Sequence, residues 1–273
     1  MSAIQQMMVS GGLYGTTLIS ALTTASLTTN LKLCLDAGDS ASYDPAIQTD
    51  KWLDRSGAGY DFFRGSGTGS DAEDPTFNGS GGSIASLWSF DGGDYFTYDT
   101  TNEAWMETLH KNGAVFSAVF FYVAPTTTSF LLSDGGIAAS TGIGIHHTGS
   151  KTRFDVVNAG ASSFAVIGDT TITSLSPHMV GISINENGGA AGGFLYLDGS
   201  YNKVSAADTW NPNYTSPSAA SSSYVMQLCA NGIGSNRMGS NGKLYCLAVW
   251  QGTALTKANM DTIWTAMRGR FGI

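Results

Sequence analysis

Two phrases about a hundred residues apart constrain this chain most: Ser89-Phe90-Asp91-Gly92-Gly93-Asp94-Tyr95-Phe96 and Phe194-Leu195-Tyr196-Leu197-Asp198-Gly199. Each sets apolar and aromatic residues against an Asp-Gly pair. Glycine tolerates positive φ and aspartate bonds its own turn, so each phrase reads as a corner where a strand stops and reverses. Short runs of strand character surround them. Leu31, Leu33 and Leu35 alternate with Lys32, Cys34 and Asp36, a period of two with one buried face. The run 115–123 is apolar on both faces, as in a central strand covered on each side. Residues 143–145, 154–157, 180–184, 194–197 and 243–250 continue the pattern between Gly, Asn, Ser and Asp clusters. Many short strands at this spacing predict an all-β, antiparallel two-sheet sandwich.

Helix is scarce. Residues 102–110 suffice for about two turns, with Trp105, Met106 and Leu109 inward. A better helix closes the chain: Thr256 caps it, Met260, Ile263, Trp264 and Met267 form its apolar stripe, and Gly269 ends it. That stripe reads as a lid on the sandwich. Residues 1–30 differ from the rest, with no charged side chain before Lys32. They are expected to form either an extra edge strand or a docking arm on another subunit, with Ile4, Met7 and Met8 as contact candidates. The domain division is therefore 1–30 and 31–273.

Of the 273 residues only 12% are charged, 35 are glycine, and the formal charge is −8. The 13 basic residues are scattered, which argues against nucleic acid or an anionic membrane as partner. No continuous apolar run is long enough to span a bilayer, and no secretory-type leader is recognised. Cys34, Cys229 and Cys246 each sit in an apolar strand-like run and read as small buried hydrophobes. They lack the spacing of metal ligands.

A retaining glycoside hydrolase needs two carboxyl groups about 5–5.5 Å apart. The four glutamates are Glu73, Glu103, Glu107 and Glu186. Glu103 and Glu107 read as a solvated helix face and the other two as turn residues. No Gly-x-Ser-x-Gly elbow precedes a helix, and His110, His146, His147 and His178 read as surface or locally satisfied. One loop, 201–218, carries Trp210, Asn211, Asn213 and Tyr214, two aromatics with flanking amides. Sugar rings stack on aromatic faces while amides bond hydroxyls, so these four are glycan-contact candidates. Loop packing is the competing role for such aromatics.

In order along the chain stand Leu33-Cys34-Leu35-Asp36-Ala37-Gly38 with Ser42-Tyr43, Trp52-Leu53-Asp54-Arg55-Ser56-Gly57, and Phe90-Asp91-Gly92-Gly93-Asp94-Tyr95. The strand 116–123 before Pro125, Leu195-Tyr196-Leu197-Asp198-Gly199, and Gly242-Lys243-Leu244-Tyr245 with Ala248-Val249-Trp250 follow. Together with the closing helix these phrases resemble the laminin-G-like, concanavalin A-like jelly-roll superfamily, in the form found in bacteriophage and bacterial surface proteins. The opening Met1-Ser2-Ala3-Ile4-Gln5-Gln6-Met7-Met8 resembles the start of phage virion proteins. The resemblance implies a non-enzymatic virion protein (capsid decoration, tail or fibre) in a symmetric homo-oligomer, with a trimer the first expectation. Its partners would be other virion proteins and a cell-surface glycan. A bacterial surface carbohydrate-binding module is the alternative, and a glycoside hydrolase comes third. Relatives often hold calcium at the sandwich rim, which makes Asp91, Asp94, Asp134 and Asp198 candidates by type. Turn chemistry accounts for them as well, so no cofactor and no metal ligand is assigned.

Overall fold

A computed structural model describes residues 16–135, 140–159, 161–186, 188–189, 192–203, 212–215 and 218–273. In chain order the first strands are β1 (Leu31–Asp36), β2 (Lys51–Trp52), β3 (Phe62–Arg64), β4 (Thr76–Asn78), β5 (Leu87–Ser89), β6 (Phe96–Thr97), β7 (Val115–Val123) and β8 (Ser129–Ser133). Then come β9 (Gly142–Thr148), β10 (Lys151–Asn158), β11 (Ala161–Ile167), β12 (Pro177–Asn185), β13 (Gly193–Leu197), β14 (Ser200–Tyr201), β15 (Gln227–Leu228) and β16 (Lys243–Gln251). Helix α1 (Leu18–Thr24) precedes them and α2 (Lys257–Phe271) follows.

The strands form two antiparallel sheets. One runs β14-β13-β12-β7-β16-β5-β4, with β1 also paired to β16; the other runs β11-β10-β9-β8-β15-β6-β3-β2. Strand β7 sits in the middle of the first sheet, between β12 and β16. Its Ala118, Phe120 and Tyr122 face the core between the sheets, while Val119 and Phe121 face the opposite way. That outward side carries a second apolar cluster in which Met179, Tyr196, Cys246, Ala248 and Trp250 meet Leu18, Ala21 and Leu22 of α1 and Met260, Ile263, Met267 and Phe271 of α2. The double-sided apolar pattern of 115–123 therefore has its physical cause: one sheet is covered on both faces. The fold is the expected all-β jelly-roll sandwich with a C-terminal helix.

Several local expectations meet the structure in detail. Asp198 (φ 46°) and Gly199 (φ 90°) make the tight turn that pairs Leu197 with Ser200. Two successive positive φ values are what a two-residue hairpin requires. The other corner behaves differently. Asp91 accepts from Gly93 N at 2.7 Å and Asp94 accepts from Asp91 N at 2.9 Å, turning the chain from β5 in one sheet to β6 in the other. It carries the chain between layers and does not form a hairpin.

Helix α2 starts at Thr256 in a capping box with Asn259 and ends at Gly272 (φ 71°), three residues beyond the expected stop. Phe271 joins the buried stripe, and Trp264 lies half-buried at its margin. Gly181 lets this helix approach, since a Cβ there would lie 3.1 Å from Met260 Sδ. Residues 102–110 form turns around a short 3₁₀ segment, Met106–Thr108, with Trp105, Met106 and Leu109 buried as expected. All three cysteines are free and fully buried.

The described part of the opening segment, 16–30, holds a helix and not an edge strand. Thr17 caps α1, and Leu18, Ala21 and Leu22 recur at helical spacing into the second cluster. Burial of those three outweighs the strand preference of the surrounding threonines. Ile4, Met7 and Met8 lie outside the described residues.

A buried ion pair ties these elements together. Arg270 donates to both carboxylate oxygens of Asp36, at 2.8 and 2.6 Å, and to Ile84 O at 2.6 Å. Asp36 also accepts from Leu18 N at 2.7 Å and Gly38 N at 2.8 Å. One carboxylate thus joins the end of β1, the first turn of α1 and the last turn of α2.

Candidate functional site

At one end of the second sheet the core is aromatic. Trp88 packs against Tyr43 (4.5 Å between centroids), Phe96 (5.0 Å), Phe77 (5.2 Å) and Trp52 (5.7 Å). This cluster anchors β2, β3 and β6 from within, so their alternate residues point outward. Lys51, Phe63, Thr97 and Gln227 are successive register partners and share that outer face. Phe63 is half-buried, with the Lys51 ammonium 4.5 Å over its ring.

An open trough runs along this end. Its first part, about 490 Å³, is lined by Phe63, the 66–68 turn, 97–100 and Val225. Its second, about 380 Å³, is lined by Thr101, Asn102, Glu107 and 221–225. Val225 belongs to both. Phe63 and Val225 give the lining apolar surface, and Ser66, Thr68, Thr97, Thr100, Thr101, Ser221 and Ser223 bring hydroxyl groups to it, with Asp99 exposed.

The walls are held rigidly. Asn102 Nδ2 donates to Tyr224 O at 2.8 Å, and its Oδ1 accepts from Met226 N at 2.7 Å. Glu107 accepts from Ser222 N at 2.7 Å, and the Ser222 hydroxyl donates to Asp134 at 2.6 Å. Glu103 accepts from the Tyr98 hydroxyl at 2.8 Å. Glu103 and Glu107 are therefore half-buried braces for the loops and not a solvated helix face. Asp134 is fully buried behind Ser222, and desolvation pushes its carboxyl up to about 7 despite bonds from Ser222 and Ile143.

The anticipated aromatic loop contributes differently. Trp210 and Asn211 lie outside the described residues. Asn213 is exposed, but Tyr214 is buried: its ring lies 5.8 Å from Phe164 and its hydroxyl donates to Leu109 O at 3.3 Å. An inward ring bonded to backbone offers no face for a sugar, so Tyr214 serves loop packing. The trough residues were not singled out from sequence. Their signal was a hydroxyl- and amide-rich stretch, 97–102, and the run Ser221-Ser222-Ser223-Tyr224.

The histidines are buried and not on the surface. His146 bonds Asp155 at 2.6 Å and stacks on Phe130 at 4.4 Å; His178 bonds Asp198 at 2.6 Å and Thr173 O at 2.8 Å. Among the described residues no group of three or more His, Cys, Asp or Glu is placed to hold a metal ion. Asp91, Asp94, Asp134 and Asp198 are each used by turn, backbone or side-chain bonds.

No family model matches this chain, and no curated protein matches it. Solved structures do. A botulinum neurotoxin type C structure, from work on cell entry dependent upon interaction with two ganglioside molecules, superposes with TM-score 0.58 at 11% identity, over 89% of this chain and 53% of that one. The binding domain of botulinum neurotoxin DC in complex with SialylT gives 0.54 at 9% identity, over 88% and 52%. A mutant Trypanosoma rangeli sialidase displaying trans-sialidase activity gives 0.55 at 11% identity, over 98% and 38%. The chain thus spans about half the length of the toxin chains and less than that of the sialidase. At these identities the likeness is one of fold alone: a jelly-roll sandwich shared with the toxin binding domain and found within the sialidase chain.

Proposed function

We propose that this chain is a non-enzymatic, lectin-like binding module that contacts glycans through the trough beside Phe63 and is displayed in several copies on a bacteriophage particle. The observation that carries the binding part is the trough itself: a half-buried aromatic ring on a floor framed by braced hydroxyl-rich walls. Apolar floors with a few fixed polar groups are what small-ligand sites share. Support for the fold's aptitude comes from the type C toxin, whose cell entry depends upon interaction with two ganglioside molecules. Support for the virion setting comes from the ordered phrases from Leu33 to Trp250 and the opening Met1 to Met8. A single shallow sugar site reaches about millimolar affinity, near −4 kcal/mol, and arrayed copies raise avidity by orders of magnitude.

The hydrolase reading gains little here. Glu107 and Asp134 both bond Ser222, but Asp134 is fully buried and its two oxygens are taken by Ser222 and Ile143 N. A general acid must reach the glycosidic oxygen. Glycan-array binding by the intact chain and by Phe63→Ala tests the proposal. A loss of about tenfold or more in the variant is expected for an aromatic anchor; unchanged binding would place the sugar elsewhere. For the particle setting, deletion of residues 1–12 should abolish incorporation into virions, and normal incorporation would defeat the arm's role.

A further inference from the structure

Resting on the glycan-binding reading above, the geometry points to the ligand class: the trough selects uncharged sugars and turns away sialylated ones. The carboxylates around it support this. Asp99 stands exposed at the rim and receives Thr100 N at 2.6 Å. Glu107 lines the second half, and Asp71, which accepts from the Ser66 hydroxyl at 2.5 Å, sits behind the 66–68 turn. Glu103 lies behind Tyr98. Against these four carboxylates stands the single ammonium of Lys51, which lies 4.5 Å over the Phe63 ring at the edge of the trough and leaves the surrounding charge negative.

Among the described residues no arginine lines either half of the trough. Arg64, the residue after Phe63 on β3, is committed elsewhere, donating to Thr49 O at 2.7 Å and Pro75 O at 3.0 Å. Planar, bidentate recognition of a carboxylate is the service an arginine supplies. A sugar acid entering here would meet like charge with no compensating donor fork, on a chain already at −8. Neutral hydroxyls, by contrast, find acceptors in Asp99 and Glu107 and donors in the threonines and serines. This sets the chain apart from the toxin binding domain seen in complex with SialylT.

The test is a single array carrying matched neutral and sialylated glycans, probed with the intact chain at low and physiological salt. The neutral member of each bound pair should be preferred by roughly tenfold, the order expected for carboxylates at partly screened separations. The preference should shrink as salt rises. Asp99→Lys should narrow it several-fold, with Asp99→Asn intermediate, while far-UV circular dichroism shows both variants folded. Equal or tighter binding of sialylated members that depends on Phe63 would overturn the selectivity and leave the binding site standing. Absence of binding to every glycan would overturn the binding reading as well.

Discussion

Replacing Arg270 with methionine isolates the contribution of the buried ion pair, because methionine keeps the length and apolar stem but removes every donor. The side chains of Arg270 and Asp36 are 4% and 0% exposed, so solvent cannot substitute for either partner. In the variant Asp36 keeps Leu18 N and Gly38 N but loses both guanidinium bonds, and Ile84 O loses its donor at 2.6 Å. Stranding one member of a buried pair costs about 3–5 kcal/mol. At roughly 2 °C per kcal/mol for a chain of this size, the midpoint of thermal unfolding should fall by about 6–10 °C. Asp36→Asn combined with Arg270→Met should recover part of that loss, since no uncompensated charge remains. Differential scanning calorimetry with urea titration reads both quantities. A loss below about 1 kcal/mol for Arg270→Met, or a double variant less stable than the single by the full sum, would refute the reasoning that this pair joins α1, β1 and α2.

Asp134 is protonated in the fold at pH values where the unfolded chain has already ionised. Stability from this group is therefore fully present below about pH 4 and lost as pH rises through about 7. Asp134→Asn, which can accept from Ile143 N and donate to Ser222, should flatten that slope and gain about 1–3 kcal/mol at pH 8; an unchanged slope in urea titrations would contradict it. Burial alone would lower His178, but its bonds to Asp198 and Thr173 outweigh this and hold the imidazole above its usual range. Its contribution is thus present below about pH 6.5 and lost as pH rises through the folded value, a decline that His178→Gln should abolish in the same titrations. The Tyr122 hydroxyl is buried with no hydrogen-bond partner among the described residues. Tyr122→Phe should leave stability unchanged or raise it by up to about 1 kcal/mol in thermal melts, because an unsatisfied buried hydroxyl is a cost.

Architecture was legible where one rule dominated. Alternation at Leu31, Leu33 and Leu35, the double-sided run through Phe120 and Phe121, and the Asp198-Gly199 turn each express a single physical demand: burial by face, burial on both faces, or positive φ. Helix α1 was missed because its threonines favour strand and its stripe is only three residues, so the decisive contribution came from packing against Trp250 and α2. The site was less legible still. Tyr214 and Tyr224 look alike as sequence, and only the tertiary path sends one to Leu109 and leaves the other beside a cavity. Phe63 lies next to Phe62 in β3, and the pleat alone decides that Phe62 enters the core and Phe63 faces out. Asn102, Glu107 and Ser222 are brought together across more than a hundred residues, which no local pattern encodes.

Backbone amide shifts of isotope-labelled protein, followed while neutral oligosaccharides are titrated in, address the binding claim without any substitution. Perturbations should gather at Phe63, residues 97–102 and residues 221–225, saturating near millimolar sugar. Perturbations confined to the helical face of the sandwich, or none across a broad panel of sugars, would contradict the assignment of the trough as the place where this protein meets its ligand.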